Sequence, residues 1–281
     1  MKKQCILIAL SWSGIAFADL VRNPDANTLW LENGKNVEKN WSSAGIARIS
    51  GENGFSLECQ EKDVKKSHSA VLRAPCSPEY PWLVFRIADI QLHPGYRSWA
   101  VILQNPAFRT GQTSVNAPGI FAFNVYDGAL IKGNPAVADI FFYLYTLRLS
   151  FTELKMVKKP DNYAEAASPV FAAKKSFEAG DSLRFTVTLK EPAEDVSVRI
   201  LYTDLLTAVK LNGQEKLQLK PVDKDQKIWS GEFEIKTFGP ARGKTSFPRG
   251  SLLIRATVLG GGVSEPIWGS VNYPFVGGIG K

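Results

Sequence analysis

The sequence predicts an all-β fold made of two β-sandwich domains, and three observations lead to this prediction. Short runs of alternating apolar and polar residues recur about every ten to fifteen residues, as in strands with one buried face. Turn-forming residues separate these runs, and the 281 residues include 23 glycines and 16 prolines. No segment keeps an apolar period of 3.6 residues, so helices should be few and short.

The strand-like runs can be followed along the whole chain. Those of the first half are GFSLECQ, SAVLRAPC, PWLVFRIADI, SWAVILQ, GIFAFNVYD and IFFYLYTLRLSFTELKMV. Those of the second half are LRFTVTL, VSVRILY, KLQLKPV, IWSGEFEI, SLLIRATVL and PIWGSVNYPF. In LRFTVTL, the residues Leu183, Phe185 and Val187 should face a core. About seven strands in the second half suggest two packed sheets.

The domain boundary is predicted in the segment KMVKKPDNYAEAASPV, where Pro160, Asp161 and Asn162 interrupt an apolar run. Proline and short polar residues are typical of connections between domains. We therefore expect a first domain over residues 19–159 and a second over residues 160–281.

The first 18 residues have the layout of a signal peptide. Lys2 and Lys3 precede a mostly apolar stretch, and Ala16-Phe17-Ala18 is a small-residue cleavage site. A membrane-spanning helix would need roughly 20 apolar residues, and Asp19 ends this run too early. We expect cleavage after Ala18, no transmembrane segment thereafter, and a secreted or periplasmic protein.

Cleavage would leave two cysteines, Cys59 and Cys76, with the polar loop EKDVKKS between them. An even pair in an exported chain indicates a disulfide, here across a hairpin. A zinc site with His68 would lack a recognisable ligand spacing, and a thiol-redox site would need cysteines two residues apart. We expect Cys59 and Cys76 to form a disulfide.

The charge of the chain gives little indication of a partner. The formal net charge is +7, and the basic runs are isolated doublets such as Lys65-Lys66 and Lys174-Lys175. Such doublets are usually solvated surface, whereas nucleic-acid binding calls for a concentrated basic face. We therefore expect no nucleic-acid partner.

The start of the first domain, DLVRNPDANTLWLENGKNVEKNW, carries a Leu-Val-x-Asn-Pro-Asp opening followed by a tryptophan. It resembles the galactose-binding-like jelly rolls, which include many carbohydrate-binding modules. Where many such modules have a glutamate that helps to hold a structural calcium, this chain has Ala26-Asn27-Thr28, so no metal is expected. The second domain resembles immunoglobulin-like or fibronectin-type-III-like modules of bacterial surface and glycan-processing proteins, without the Cys…Trp…Cys of antibody domains.

Strand parity predicts a candidate ligand-binding face on the first domain. In PWLVFRIADI, Leu83 and Phe85 should face the core, which turns the alternate residues outward. The same alternation in the neighbouring strands gives one predicted face: Trp82, Arg86, Gln104, Asn124, Tyr126 and Arg148. Aromatic rings offer flat apolar surfaces to sugar rings, and planar polar side chains bind hydroxyl groups. The alternatives are an ordinary solvated face and a surface packed against the second domain.

No catalytic motif is complete. The segment Gly239 to Thr245 has one residue too few between its glycines for a phosphate loop, and Gly262 to Pro266 departs from the G-x-S-x-G serine elbow at its last position. A glycosidase needs two carboxylates across a cleft, and the sequence cannot pair any of the available ones, Asp89, Asp127, Asp139 and Glu153. The segment His93 to Arg97 has residue types of a lyase but a turn at its centre.

The sequence therefore predicts an exported, non-catalytic binding protein that recognises carbohydrate or surface glycan through its first domain. The alternative is a structural or assembly protein of the cell envelope that binds protein partners, and a jelly-roll polysaccharide lyase is a distant third. No catalytic residue and no cofactor is predicted.

Overall fold

A computed structural model describes residues 20–43, 46–51, 53–59, 68–92, 99–105, 108–109, 113–115, 117–126, 136–144, 146–166, 179–201, 208–239 and 250–271. The predicted signal peptide and its cleavage site after Ala18 lie outside this part. In chain order the elements are β1 (Val21–Asp25), β2 (Thr28–Glu32), α1 (Val37–Asn40), β3 (Trp41–Ser43), β4 (Ile46–Gly51), β5 (Gly54–Cys59), β6 (His68–Pro75), β7 (Trp82–Leu92), β8 (Trp99–Asn105), β9 (Phe108–Arg109), β10 (Thr113–Val115), β11 (Gly119–Asn124), β12 (Val137–Leu144), β13 (Thr146–Val157), β14 (Tyr163–Ala166), β15 (Ser182–Thr188), β16 (Ala193–Leu201), β17 (Lys210–Leu211), β18 (Leu217–Gln218), β19 (Lys220–Pro221), β20 (Ile228–Glu234), β21 (Phe238–Gly239), β22 (Gly250–Val258), β23 (Gly262–Val263) and β24 (Ile267–Val271).

The prediction of an all-β fold is confirmed: the described part is built almost wholly of strands, in several sheets. A long sheet has the strand order β1-β2-β13-β7-β11-β24-β22-β16-β18, and β4, β5 and β23 pair beside this path. A front sheet has the order β10-β8-β12-β6-β3, with β9 beside β8. A rear sheet has the order β14-β15-β20-β19.

The first core lies between the long sheet and the front sheet. Trp30, Phe85 and Phe121 of the long sheet are fully or almost fully buried, as are Trp41 and Phe142 of the front sheet. The rings of Phe85 and Phe142 meet edge to face with centroids 5.6 Å apart, a favoured aromatic geometry. Burial of several such large rings accounts for the cohesion of this half.

The second core lies between the rear sheet and the other half of the long sheet. The alternation predicted for LRFTVTL is present, because Leu183, Phe185 and Val187 of β15 are completely buried. They belong to the same apolar cluster as Val198 of β16 and Ile254 of β22. The two cores therefore use opposite faces of the long sheet.

The long sheet is continuous from one half of the chain to the other. The parallel pair β11–β24 makes this connection, with Ile120 opposite Ile267 and Phe121 opposite Trp268. Successive strand residues point to opposite faces, so Ile267 packs into the second core and Trp268 into the first. The rings of Trp268 and Phe121 stack at 5.7 Å with an interplanar angle of 3°. The last described strand thus completes both cores.

The predicted disulfide is not present in this structure, where Cys59 and Cys76 are buried and not bonded to each other. Strand β5, which ends at Cys59, and strand β6, which precedes Cys76, do not form a hairpin, because β5 belongs to the long sheet and β6 to the front sheet. Cys59 pairs with Ile46, which follows Ser43 by three residues. Ser43 in turn pairs with Ala70, near the start of β6. Cys76 follows the other end of β6, about 20 Å away at 3.3 Å per residue, and a disulfide requires Cα atoms within about 7 Å.

Between residues 157 and 163 the chain leaves the long sheet, where β13 ends, and enters the rear sheet, where β14 begins. Within the described residues, no helix is long and apolar enough to cross a membrane.

Candidate functional site

The outer face of the long sheet, opposite the first core, carries Trp82 and Arg86 of β7 and Asn124 of β11. Asn124 lies opposite Trp82, and Ile120 lies opposite Arg86. The Trp82 end of this face is covered: Trp82 is 9% exposed and packs against the ring of Tyr163 at 5.5 Å. Tyr163 belongs to β14 of the rear sheet, so the second half of the chain covers this end of the face.

The other three residues of the predicted face lie elsewhere. Arg148 points outward from the far end of β13, where its Nε is 2.9 Å from the Glu58 carboxylate. Tyr126 packs against the first core with its hydroxyl buried, and this burial, reinforced by the neighbouring Cys76, raises the pKa of Tyr126. Gln104 is in β8 of the front sheet. The predicted residues therefore do not form one open patch.

An open cavity lies at the uncovered end of the same face, around Arg86. We call it the Arg86 groove. It has a volume of about 630 Å³ and is lined by Leu31, Arg86, Ala88, Thr152, Glu153 and Glu265.

Two irregularities in the sheet form the floor of the Arg86 groove. The register of β7 and β13 shifts once between Ser150 and Phe151 and again between Phe151 and Glu153. Ala88 is the extra residue on β7 and Thr152 the extra residue on β13, and both line the groove. A β-bulge re-aims the side chains beside it, which lets the adjacent residues Thr152 and Glu153 reach the same cavity.

The charged side chains of the Arg86 groove are arranged in ion pairs. The Nη1 atom of Arg86 lies 2.5 Å from Oε2 of Glu265, and both side chains are more than a third exposed. On the other side, Lys155 contacts the Glu153 carboxylate and also lies 3.7 Å from Asp161. Glu153 is on β13, and Glu265 lies just before β24. Arg86 is on β7, which lies between β13 and β24 in the strand order.

A second cavity of about 380 Å³ adjoins the groove, because Arg86 and Glu265 line both. We call it the rear chamber. Its other lining residues come mainly from the second half of the chain: Ile120, Asn162, Leu189, Lys190, Glu191, Ala256, Val258, Val263, Ser264 and Ile267. The side-chain oxygen of Asn162 accepts a hydrogen bond from the Lys190 amide at 2.5 Å, which fixes one wall.

Two carboxylates facing one cavity are the residues that acid–base cleavage of a polar substrate requires. The sequence named Glu153 as one of several unpaired carboxylates but gave no sign of Glu265. Glu265 precedes β24, and it reaches Arg86 only because β24 pairs with β11. No local pattern indicates that contact.

The other catalytic candidates of the sequence do not join this site. Asp89 lies opposite Ser150 on the far side of the bulges, and Asp139 is 3.9 Å from Arg73 on the front sheet. Asp127, the segment His93 to Arg97 and residues 240–245 lie outside the described residues, and Gly239 is the last residue of β21. Among the residues that are described, no three His, Cys, Asp or Glu side chains are grouped closely enough to hold a metal ion.

No protein-family model matches the chain, and no curated protein matches it. Among solved structures, it is similar to the glycoside hydrolase domain of Endo-D from Streptococcus pneumoniae R6. The match has 12% sequence identity and a TM-score of 0.25, and it covers 83% of this chain. The chain spans 37% of the length of that structure. A TM-score of 0.25 does not establish a shared fold.

The prediction of a non-catalytic protein that binds glycan through the first domain is therefore corrected. Its aromatic platform is missing, because Trp82 is buried and Tyr126 packs against the first core. The Arg86 groove on this face is lined by three charged side chains, Arg86, Glu153 and Glu265.

Proposed function

We propose that the chain is a hydrolytic enzyme that cleaves a glycosidic bond in the Arg86 groove, with Glu153 and Glu265 as its pair of carboxylates. One observation carries the proposal: both side chains line the same open cavity, and Arg86 lies between them. The cavity volume of about 630 Å³ is within the usual range for small-ligand sites.

The sheet order supports a suitable spacing. Glu153 is on β13 and Glu265 precedes β24, three strand positions away. Neighbouring strands are about 4.8 Å apart, so the two backbones are separated by about 14 Å. Both glutamates line the groove, and the proposed inverting mechanism requires their carboxylates to lie roughly 6.5 to 9.5 Å apart, which leaves room for a water molecule.

The ion pairs suggest which carboxylate plays which role. Glu265 is paired with the guanidinium of Arg86, and we assign it the role of general base. The cation of Glu153 is Lys155, which it shares with Asp161. We assign Glu153 the role of general acid.

In the proposed reaction, the proton of Glu153 passes to the leaving oxygen as the bond from that oxygen to the anomeric carbon breaks. Water forms the new bond to the anomeric carbon and gives its proton to Glu265. Exchange of protons with solvent restores Glu153 and Glu265 for the next cycle.

The test is hydrolysis of a panel of 4-nitrophenyl glycosides by the native chain, Glu153→Gln and Glu265→Gln. We expect turnover of at least one substrate, with a loss of 10²-fold or more in each variant, on the order that general acid–base catalysis contributes. The matched control is Glu232→Gln, which breaks a similarly exposed pair with Arg184 at 2.9 Å, away from the groove. Turnover that survives in both groove variants would refute the assignment.

Three further statements belong to the same proposal. The export of the chain, with cleavage after Ala18, fits a substrate outside the cytoplasm and rests on the sequence pattern alone. The jelly-roll-like character of the first half and the immunoglobulin-like character of the second rest on the sequence resemblance. The proposed partner is a carbohydrate, acting as substrate.

A further inference from the structure

The exposed surface of the rear chamber is more polar than apolar. Apolar lining residues such as Leu189 and Ile267 are buried in the second core. Lys190 and Glu191, in the connection between β15 and β16, line the chamber with exposed side chains. An ammonium group offers three hydrogen-bond donors and a carboxylate offers acceptors, so these neighbours can bind both the oxygen and the hydrogen of a hydroxyl group.

Hydrogen bonds to the backbone hold two further polar residues of the chamber wall in place. The side-chain oxygen of Asn162 accepts a hydrogen bond from the Lys190 amide at 2.5 Å. The Oγ atom of Ser264 accepts one from the Ala256 amide at 3.0 Å, and the Ser264 amide donates to the Ala256 carbonyl oxygen at 2.8 Å. Because Oγ is an acceptor toward Ala256, its own hydrogen can be donated to a ligand. Groups that are fixed in this way lose less entropy when a ligand binds.

The charges of the chamber lining balance. Its cations are Arg86 and Lys190. Its carboxylates are those of Glu191 and Glu265. Arg86 and Glu265 form an ion pair at 2.5 Å, and the remaining two residues also have no net charge together. Such a lining does not attract an ionic ligand, and a neutral ligand that is rich in hydroxyl groups matches it best.

We propose that the rear chamber is a subsite for one neutral sugar unit, next to the bond that is cleaved in the Arg86 groove. This inference rests on the proposed function. Arg86 and Glu265 line both cavities, so a glycan that crosses this boundary places one unit in the chamber and the next in the groove. The chamber volume of about 380 Å³ lies in the lower part of the usual range for small-ligand sites. The substrate class is thus a glycan of two or more units, with an uncharged unit in the chamber.

The test measures sugar binding directly, so that its result is separate from hydrolysis. The ¹⁵N-labelled variant Glu153→Gln, which retains every residue of the chamber lining, is titrated with cellobiose, maltose, lactose and chitobiose. Digalacturonic acid is the charged counterpart. We expect at least one neutral disaccharide to shift the amide resonances of Lys190, Glu191 and Ser264, at concentrations at which digalacturonic acid does not.

Adding Lys190→Ala should weaken the binding of that disaccharide about tenfold, on the order of one hydrogen bond to a charged group. The matched control is Lys224→Ala, since Lys224 is also exposed but lies in the turn between β19 and β20 and lines neither cavity. Both variants should keep the thermal midpoint, because both lysines are on the surface. Glu191→Lys gives the chamber a net positive charge and should allow digalacturonic acid to bind.

Three results would overturn the inference: no shift of the chamber amides with any neutral disaccharide, tighter binding of digalacturonic acid by the unaltered chamber, or equal losses in Lys190→Ala and Lys224→Ala. Hydrolysis of 4-nitrophenyl glycosides tests the proposed function separately. A chain that hydrolyses them but binds no disaccharide in the chamber keeps the function and loses the subsite. A chain that binds a disaccharide there but hydrolyses no glycoside keeps the chamber as a sugar site and loses the proposed function.

Discussion

At the scale of single residues, two buried groups, the Cys76 thiol and the Tyr126 hydroxyl, make the stability of the fold depend on pH. Burial raises the pKa of the Cys76 thiol from 9.0 to about 12. It also raises the pKa of Tyr126, with a smaller contribution from the nearby Cys76. Both groups are neutral when protonated, and burial in an apolar core disfavours their charged forms. The Cys76 thiol therefore stays protonated and neutral at pH 7.

These shifts predict that the native chain loses stability in alkali. The folded state holds the Cys76 proton more tightly than the unfolded chain, so the stabilisation is fully present below pH 9 and is lost as the pH rises toward about 12. The free energy of unfolding should fall by about 1.4 kcal/mol per pH unit for each such group. Urea unfolding at pH 7, 9, 10 and 11 measures this slope.

The variant Cys76→Ala removes one of the two groups. Its slope above pH 9 should be clearly shallower than that of the native chain, although the variant is less stable at pH 7 because of the lost volume. Equal slopes in the two proteins would mean that Cys76 does not carry the effect. The same samples, digested without reduction, should give no peptide in which Cys59 and Cys76 are linked.

At the scale of elements, the parallel pair β11–β24 depends on a glycine. Gly119 has a φ of +142°, which only glycine adopts readily. A Cβ atom at this position would lie 2.6 Å from the Pro266 carbonyl oxygen and 2.9 Å from Nε1 of Trp268. The close approach of β11 to the start of β24, and with it the position of Glu265, therefore requires glycine here.

We predict that Gly119→Ala lowers the free energy of unfolding by more than the roughly 1 kcal/mol of an unfavourable φ alone. The matched control is Gly213→Ala, where φ is +80° and no atom lies within 4 Å of the added Cβ. Chemical denaturation of both variants makes the comparison. Equal losses in the two variants would show that the approach of β24 is not tight.

At the scale of the whole molecule, the continuous long sheet joins the two halves into one structural unit. Ile267 and Trp268 are neighbours in β24, yet they pack into the second and the first core respectively. Leu201 and Leu253, also from the second half of the chain, belong to the first core as well. Neither core is complete without strands that lie beyond residue 160.

The expected consequence is one cooperative unfolding transition for both cores. Ile267→Ala should lower the stability by about 2–5 kcal/mol and Trp268→Ala by about 3–5 kcal/mol, and each should shift the same transition. Differential scanning calorimetry measures it. Two separate transitions, with each variant affecting only one of them, would contradict a shared sheet.

Local patterns in the sequence were sufficient to predict the strands and, for many of them, which side chains face a core. The pairing of strands that are far apart in the chain could not be predicted from such patterns. The alternation of LRFTVTL matches the burial of Phe185, because a period of two residues depends only on the strand itself. The burial of Trp82 depends on Tyr163, more than 80 positions away. The groove depends on two bulges and on the β11–β24 pair, and neither leaves a periodic signal in the sequence.

The most direct test of the catalytic groove is chemical rescue of Glu265→Ala by azide. The alanine variant should hydrolyse an activated 4-nitrophenyl glycoside far more slowly than the native chain. Sodium azide, a small anion that fits the space left by the carboxylate and needs no general base, should restore release of 4-nitrophenol and give a glycosyl azide detectable by mass spectrometry. Glu232→Ala should neither lose activity nor respond to azide. If azide restores nothing and no glycosyl azide forms, Glu265 is not the catalytic base and the proposed mechanism is wrong.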